Sequence, residues 1–192
     1  MPLRDAFTER DERGESQPLL GITSNGGVVD RESIERRDTS AADKSAYKVI
    51  RPGDIGYNTM RMWQGVSGLS QLTGLISPAY TVASPKEGVI DGTFAAHLFK
   101  FPAMIHRFWR YSQGLVDDQL QLRFEHFGEI RVNLPPLSHQ EEVGRLFEAL
   151  NHELDLLMAE AGALRRQKRG LMQKLLTGEW RLGEAREREA AE

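Results

Sequence analysis

Residues 138–178 read SHQEEVGRLFEALNHELDLLMAEAGALRRQKRGLMQKLLTG, and this stretch decides the architecture of the C-terminal part of the chain. It contains no proline, and apolar residues recur at alternating spacings of four and three from Val143 to Leu175, with Lys168 as the one break. A seven-residue apolar period held over roughly four and a half heptads is typical of a coiled-coil helix. The apolar seam consists of Val143, Phe147, Leu150, Leu154, Leu157, Ala161, Leu164, Leu171 and Leu175.

Both ends of this helix have recognisable signals. Ser138 is a predicted N-cap, and Glu141 three residues later completes a capping box. Gly178 is the predicted C-terminal stop, after about Leu176. A helix of about 38 residues would be on the order of 57 Å long at 1.5 Å per residue.

Charge is sorted along the helix. Residues 141–160 hold six acids and one base, whereas residues 165–174 hold five bases and no acid. This order complements the helix dipole, so a solvated helix without a partner is one interpretation. Two antiparallel copies would place acids beside bases, and two parallel copies would place acids together. Combined with the apolar seam, the charge sorting favours an antiparallel helical partner. This partner is either a second copy of the chain, a different chain of the same kind, or helices of another protein.

The N-terminal part has a different composition. Eleven of the 18 glycines fall in residues 1–92, among β-branched and aromatic residues, which indicates short strands joined by tight turns. Helical apolar spacing then runs from Phe94 to Trp109, with Pro102 dividing two short helices. This period predicts that the aromatic cluster from Phe94 to Tyr111 is core rather than a platform for base stacking. The candidate strands are Leu19–Thr23, Tyr47–Ile50, Ile55–Asn58, Tyr80–Ala83 and Ile130–Val132.

Composition excludes several classes of protein. With 25 Lys+Arg, 28 Asp+Glu, a net charge of −3 and 40% apolar residues, the chain is globular rather than disordered. It has no cysteine, and therefore no disulfide, thiolate metal site or cysteine nucleophile. No apolar stretch is long enough to span a membrane, and the first five residues contain no apolar signal core, so a cytoplasmic location is expected.

Catalytic motifs are missing from the sequence. There is no phosphate-binding glycine loop and no H-E-x-x-H, and the five histidines are scattered without ligand spacing. The string Asn133-Leu134-Pro135-Pro136 differs from the Asn/Asp-Pro-Pro-aromatic loop of adenine methyltransferases by an inserted leucine and a missing aromatic residue. It is interpreted as a stiff elbow that leads into the long helix. We therefore expect a protein without catalytic activity of its own.

Four strings resemble a known family. LPPLSHQEE at 134–142 and KRGLMQKLLTG at 168–178 resemble the conserved helical region of the specificity (S) subunit of type I restriction–modification systems. DIGYNTMRMWQG at 54–65 and ISPAY at 76–80 resemble one class of its target-recognition domain. The resemblance covers roughly residues 3–182. It implies an α+β fold, with a small mixed-sheet target-recognition domain at 1–137, a long coiled-coil helix at 138–178 and a charged tail at 179–192.

The resemblance implies that this chain corresponds to half a subunit. A full subunit has two recognition domains and two long antiparallel helices, whereas this sequence has one of each. A naturally half-sized subunit, a split-gene remnant and a C-terminal fragment are all open as origins. The implied partners are double-stranded DNA, methyltransferase (M) and restriction (R) subunits, and a second copy of this chain. The implied role is non-catalytic, and S-adenosylmethionine is expected on the M subunits rather than here.

Two segments carry side chains suited to reading DNA. Arginine can bind guanine O6 and N7, and asparagine or glutamine can bind adenine N6 and N7. Paired glycines allow backbone N–H groups to approach a phosphate closely. The alternatives are a polar hairpin in which Asn58 caps a turn and Trp63 is core, and an ordinary turn at 23–27. The predicted DNA-contacting residues are Thr23, Ser24, Asn25, Asn58, Arg61, Trp63 and Gln64.

Two functions therefore stay open after the sequence is read. In the first, an antiparallel homodimer reads an inverted repeat of one half-site separated by a spacer. In the second, the chain is an adaptor or remnant that docks M subunits through its helix and no longer reads DNA.

Overall fold

The computed structural model describes residues 1–24, 26–34, 44–116 and 119–181. The chain divides into two compact units, Met1–Leu146 and Phe147–Glu192. The first contains every strand of the described residues and four short helices, α1 (Leu3–Ala6), α2 (Gly92–Leu98), α3 (Pro102–Tyr111) and α4 (Phe124–Glu129). The long helix α5 (Leu137–Leu176) begins in the first unit and makes up most of the second. The predicted α+β fold is confirmed.

Eight short strands form three small sheets. The largest sheet has the order β1-β8-β5-β6, and its neighbours are antiparallel. The other two are the hairpin β2-β3 and the pair β4-β7, both antiparallel. The strands are β1 (Phe7–Glu9), β2 (Leu20–Thr23), β3 (Gly27–Asp30), β4 (Lys48–Ile50), β5 (Ile55–Asn58), β6 (Ser67–Leu69), β7 (Gly74–Ile76) and β8 (Tyr80–Pro85).

The central strand β5 is covered on both faces, because its Ile55 and Tyr57 side chains belong to the aromatic core and the small sheets pack against Gly56. Ile55 and Tyr57 are fully buried. Between them, a Cβ atom on Gly56 would lie 2.5 Å from Ile22 Cδ1 and 2.9 Å from Ile50 Cδ1. Glycine at position 56 therefore lets side chains of β2 and β4 reach the main sheet.

The core of the first unit is aromatic. The Phe127 ring centroid lies 5.6 Å from those of Phe7 and Phe99 and 6.2 Å from that of Phe108. The expectation that the whole Phe94–Trp109 group is core is wrong for Phe101 and Trp109, which are 58% and 46% exposed. Phe101 is the extended N-cap of α3, so the helical period restarts at Pro102 and does not run through both helices.

The predicted strand Ile130–Val132 is also wrong. Its backbone is bonded to the N-terminus, with Leu3 N donating to Ile130 O at 2.9 Å and Val132 N donating to Met1 O at 2.8 Å. Only the isolated bridge between Pro2 and Arg131 forms, because the N-terminal chain turns into α1 at Leu3 and leaves no room for a longer ladder.

The long helix is confirmed, although its first turn differs from the prediction. It begins at Leu137, so Ser138 lies inside the first turn and is not the N-cap. The carbonyl of Pro136 instead accepts hydrogen bonds from the N–H groups of His139 and Gln140, at 3.0 and 3.1 Å. A proline has no N–H to leave unpaired, and its carbonyl is free to start the helix. Gly178 ends the helix with a left-handed φ of 76°, as predicted.

Among the described residues, no helix is both long enough and apolar enough to cross a membrane.

Candidate nucleic-acid interface

The first predicted segment, Asn58–Gly65, forms a compact loop at the end of β5. The Asn58 side-chain oxygen accepts a hydrogen bond from Met60 N at 3.0 Å, which closes a turn. A 3-10 helix follows at Met62–Gln64, and its first residue, Met62, is fully buried. Gly65 then adopts a left-handed φ of 76° that a side chain would strain. The turn at Asn58, the buried Met62 side chain and the left-handed backbone of Gly65 therefore fix the position of the loop.

Besides Asn58, three predicted residues lie along this loop. Trp63 is half-buried, and its indole N–H donates to Met60 O at 3.0 Å. This bond ties the indole ring to the backbone of the loop. Arg61 and Gln64 are exposed on either side of it, so their side chains are accessible to a ligand.

The second predicted segment is the turn of the β2-β3 hairpin. The Thr23 hydroxyl accepts a hydrogen bond from Gly26 N at 2.9 Å, and Gly27 has a φ of 63°. Ser24 is exposed, and Asn25 lies outside the described residues. The hydroxyl of Thr23 is thus used within the turn.

These two segments meet. A Cβ atom on Gly68 would lie 2.5 Å from Gly27 Cα and 2.9 Å from Val28 N, so the hairpin rests directly on β6. The contact creates a cleft of about 330 Å³, which we call the recognition cleft. Among the described residues, neither Trp63 nor Gln64 lines it. Its walls are Ile22, Thr23, Ser24, Arg31, Ile34, Asn58, Arg61, Val66 and Tyr80.

Arg31 was not predicted from the sequence. It follows β3 directly, and its backbone N–H donates to Leu19 O at 2.9 Å, which fixes it beside the hairpin. Recognising the β2-β3 hairpin would have placed Arg31 opposite Leu19, but the sequence analysis identified no strand at 27–30. With Arg61 it gives the recognition cleft two guanidinium groups, and the lining residues that the structure describes contain no carboxylate.

A second polar cleft borders the same loop. Leu122 N donates to Thr59 O at 2.8 Å, which brings Gln121 and Arg123 beside Met60. Gln113 and Gln121 face each other across an antiparallel bridge. The cleft measures about 520 Å³, and Glu125 and His126 also line it. Its amide groups were missed by the sequence analysis because they belong to no recognisable motif.

Charged groups elsewhere serve the fold. Asp54 is 3% exposed and accepts hydrogen bonds from Arg10 Nε at 2.8 Å and Arg51 N at 2.9 Å. The hydrogen bond to Asp54 raises the pKa of Arg10. Across the described ranges, no group of three or more histidine, aspartate or glutamate side chains is placed to hold a metal ion.

The predicted pairing face lies along α5. Seven of the nine seam side chains are 37 to 57% exposed, and Val143 and Ala161 are half-buried. An apolar stripe of this length is unusual on the surface of a soluble protein. The assignment of these nine residues to dimerisation stays a prediction, as does that of the DNA-contacting residues.

Comparison with solved structures identifies the fold. The HsdS subunit from Thermoanaerobacter tengcongensis matches 91% of this chain with a TM-score of 0.50 and 14% sequence identity. A chain from a structural study of complex assembly and conformational transition of the type I R-M system matches 91% of it with a TM-score of 0.56, again at 14% identity. This protein spans 43% and 44% of the length of those two chains. No protein-family model matches the chain, and no curated protein matches it in sequence.

The fold is thus similar to slightly less than half of these two chains, with a strand-containing unit followed by one long helix. The resemblance to type I specificity subunits that the sequence motifs indicate is confirmed at the level of the fold.

Proposed function

We propose that this protein is a half-sized specificity subunit that binds DNA sequence-specifically and acts as an antiparallel homodimer. The observation that carries the proposal is the recognition cleft, because two segments that are far apart in sequence converge there. Thr23 and Ser24 come from one segment, and Asn58 and Arg61 come from the other.

The chemistry of the cleft suits DNA. Arg61 and Arg31 supply guanidinium groups that can bind guanine edges or phosphate oxygens, and the cleft walls contain hydroxyl and amide groups beside them. Each good base contact is worth about 1–3 kcal/mol of discrimination. The protein's net charge of −3 makes strong non-specific binding unfavourable, so affinity depends on matching contacts.

The helix supplies the second half of the proposal. Burying a half-exposed leucine gains about 1 kcal/mol, and seven exposed seam residues on each of two copies bring the gross gain to the order of 10 kcal/mol. Set against an association cost of about 4 kcal/mol, the low end of the usual range, this gain permits pairing at tens of micromolar. The acidic half at 141–160 would face the basic half at 165–174 of the second copy. The two-fold symmetry would then select an inverted repeat with a spacer.

Partners follow from the likeness to type I systems. We propose that the dimer directs M and R subunits to its DNA target, that S-adenosylmethionine is bound by the M subunits, and that this chain is itself non-catalytic. The competing adaptor function, in which the helix docks M subunits and the recognition domain does not read DNA, predicts the same helix but no site preference.

Selection of bound sites from a random DNA library tests DNA reading. The parent is expected to enrich one inverted repeat. Replacing Arg61 and Gln64 together by alanine should abolish that preference, because both side chains are exposed on the loop. Arg110→Ala removes the same charge from an exposed position on α3 and should select the parent's sites. A parent without any enriched site favours the adaptor, and an unchanged site for the double variant excludes this loop as the reader.

Sedimentation at tens of micromolar tests the dimer. Leu154→Asp with Leu157→Asp places charges on the seam and should give a monomer. Leu156→Asp is the matched control, because Leu156 is 59% exposed but lies off the seam in the same turn. A monomeric parent, or equal effects of the seam and control variants, would contradict pairing through this face.

A further inference from the structure

Lys100 lies in the short connection between α2 and α3, and its ammonium group touches both segments of the recognition cleft. The Lys100 Nζ atom lies 2.7 Å from Gly65 O and 2.7 Å from Ser67 O, at the end of the 58–65 loop and in β6. It also lies 3.2 Å from Ser24 O, in the turn of the β2-β3 hairpin. An ammonium group has three N–H donors, so each carbonyl can accept one of them.

The position of Lys100 is fixed from the core side. Its backbone N–H donates to His97 O at 3.0 Å, and the preceding residue, Phe99, is fully buried in the aromatic core. The hairpin and β6 otherwise meet closely at Gly27 and Gly68, where no side chain intervenes. Lys100 therefore adds directional hydrogen bonds to a contact that is otherwise steric.

The three acceptors separate Lys100 from a typical phosphate-binding lysine. They are uncharged backbone carbonyls, and desolvation of the ammonium lowers the pKa of Lys100. A lysine that binds phosphate keeps its N–H donors directed towards the ligand, whereas those of Lys100 are occupied within the protein.

We propose that Lys100 is a positioning residue for DNA recognition: it holds Ser24, at the end of β2, and the 58–65 loop in the relative placement that reads bases, and it does not contact phosphate. The inference rests on the proposed DNA-binding function. Its consequence is that losing Lys100 reduces sequence discrimination while leaving the electrostatic part of DNA binding unchanged.

The test compares Lys100→Met with the control Lys86→Met by fluorescence anisotropy. Lys86 donates to one backbone carbonyl, Arg4 O at 2.8 Å, and does not line the recognition cleft within the described residues. Each variant is titrated with the selected site and with a scrambled duplex over a series of salt concentrations. Lys100→Met should lower the ratio of specific to non-specific affinity by roughly 5- to 150-fold, the range of one base contact. Lys86→Met should keep the parent's ratio.

The salt dependence supplies a readout that a general loss of stability would not produce. The slope of log affinity against log salt should be the same for Lys100→Met and the parent. A slope shallower by about one would mean that Lys100 contacts a phosphate, and would overturn the proposal. An unchanged specificity ratio for a folded Lys100→Met protein would also overturn it.

Two further outcomes keep the test decisive. If Lys100→Met does not fold, Lys100→Gln takes its place in the test. Glutamine retains two N–H donors, so the specificity ratio should fall, but by less than the change expected for Lys100→Met. A folded Lys100→Gln protein with the parent's ratio would contradict the proposal. A parent that binds the selected and scrambled duplexes equally refutes the proposed function itself, which separates that failure from a failure of Lys100 alone.

Discussion

Gln140 connects the start of the long helix to the rest of the first unit, and replacing it by leucine should destabilise that unit. The side chain is 1% exposed although it is polar. Its amide oxygen accepts a hydrogen bond from Asp91 N at 3.0 Å, and its amide nitrogen donates to Pro135 O at 2.9 Å and Val89 O at 3.3 Å. One glutamine thus links three backbone groups from two segments of the chain.

The expected loss in the free energy of unfolding follows from the backbone groups that lose their hydrogen-bond partner. Leucine is similar in size and equally suited to a helix, so Gln140→Leu removes the hydrogen bonds without a large change in volume. A buried donor or acceptor left without a partner costs about 1–3 kcal/mol. Asp91 also caps α2 through Phe94 N at 2.7 Å, so freeing its backbone loosens the first turn of that helix. We expect the free energy of unfolding to fall by about 2–4 kcal/mol.

Urea unfolding followed by circular dichroism measures this change. Gln167→Leu is the matched control, because Gln167 is exposed in the middle of α5, and it should change stability by less than about 0.5 kcal/mol. All three proteins are compared at one concentration, because any dimer makes stability depend on concentration. The reasoning is refuted if Gln140→Leu and Gln167→Leu unfold at the same urea concentration.

Three further perturbations address the packing and the buried polar groups. Gly68→Ala should lower the free energy of unfolding by about 1–3 kcal/mol, because its Cβ would clash with the hairpin backbone. Gly170→Ala should raise it by about 1 kcal/mol, because the added Cβ would meet no atom outside its own helix within 4 Å among the described residues. In urea unfolding, the two variants should therefore change the free energy in opposite directions. The buried Tyr57 hydroxyl makes no hydrogen bond of standard length and angle among the described residues, so Tyr57→Phe should stabilise the protein by about 1 kcal/mol. Burial raises the pKa of Tyr57, so the parent should lose stability as the pH rises above 10, where the unfolded chain releases that proton first, and the variant's pH profile should lack this contribution. Asp54→Ala should lower the free energy of unfolding by about 3 kcal/mol, because it removes a buried carboxylate from its donors. Glu12→Ala, at an exposed ion pair, should lower it by less than about 1 kcal/mol. Equal losses for the two variants would argue against a structural role for the buried Asp54 carboxylate.

Local signals predicted the elements that depend on near neighbours. The strand β5 was predicted with its observed bounds, because turn residues flank a short β-branched and aromatic run. The strands β1, β3, β6 and β7 were missed, since each is a run of only three or four residues that is defined by its pairing with another strand. Phe7, for example, pairs with Pro85.

The candidate site was predictable only in pieces. Thr23 and Asn58 were identified by chemistry on separate segments, but their convergence depends on the contact between Gly27 and Gly68. Arg31 has no motif of its own. It joins the recognition cleft because the short strand before it pairs with the strand that carries Thr23.

The sequence by itself determined the long helix, its end at Gly178, its apolar seam and the sorting of charge along it. These features follow from residues within about one heptad of one another, because helical hydrogen bonds and side-chain neighbours are local. Only the tertiary structure decided that Gln140 is buried, that Phe101 and Trp109 are exposed, and that Lys100 bridges the cleft. Each of these depends on backbone or side-chain groups supplied by distant segments, and whether a polar group can be buried is decided by the partners that the whole fold brings to it.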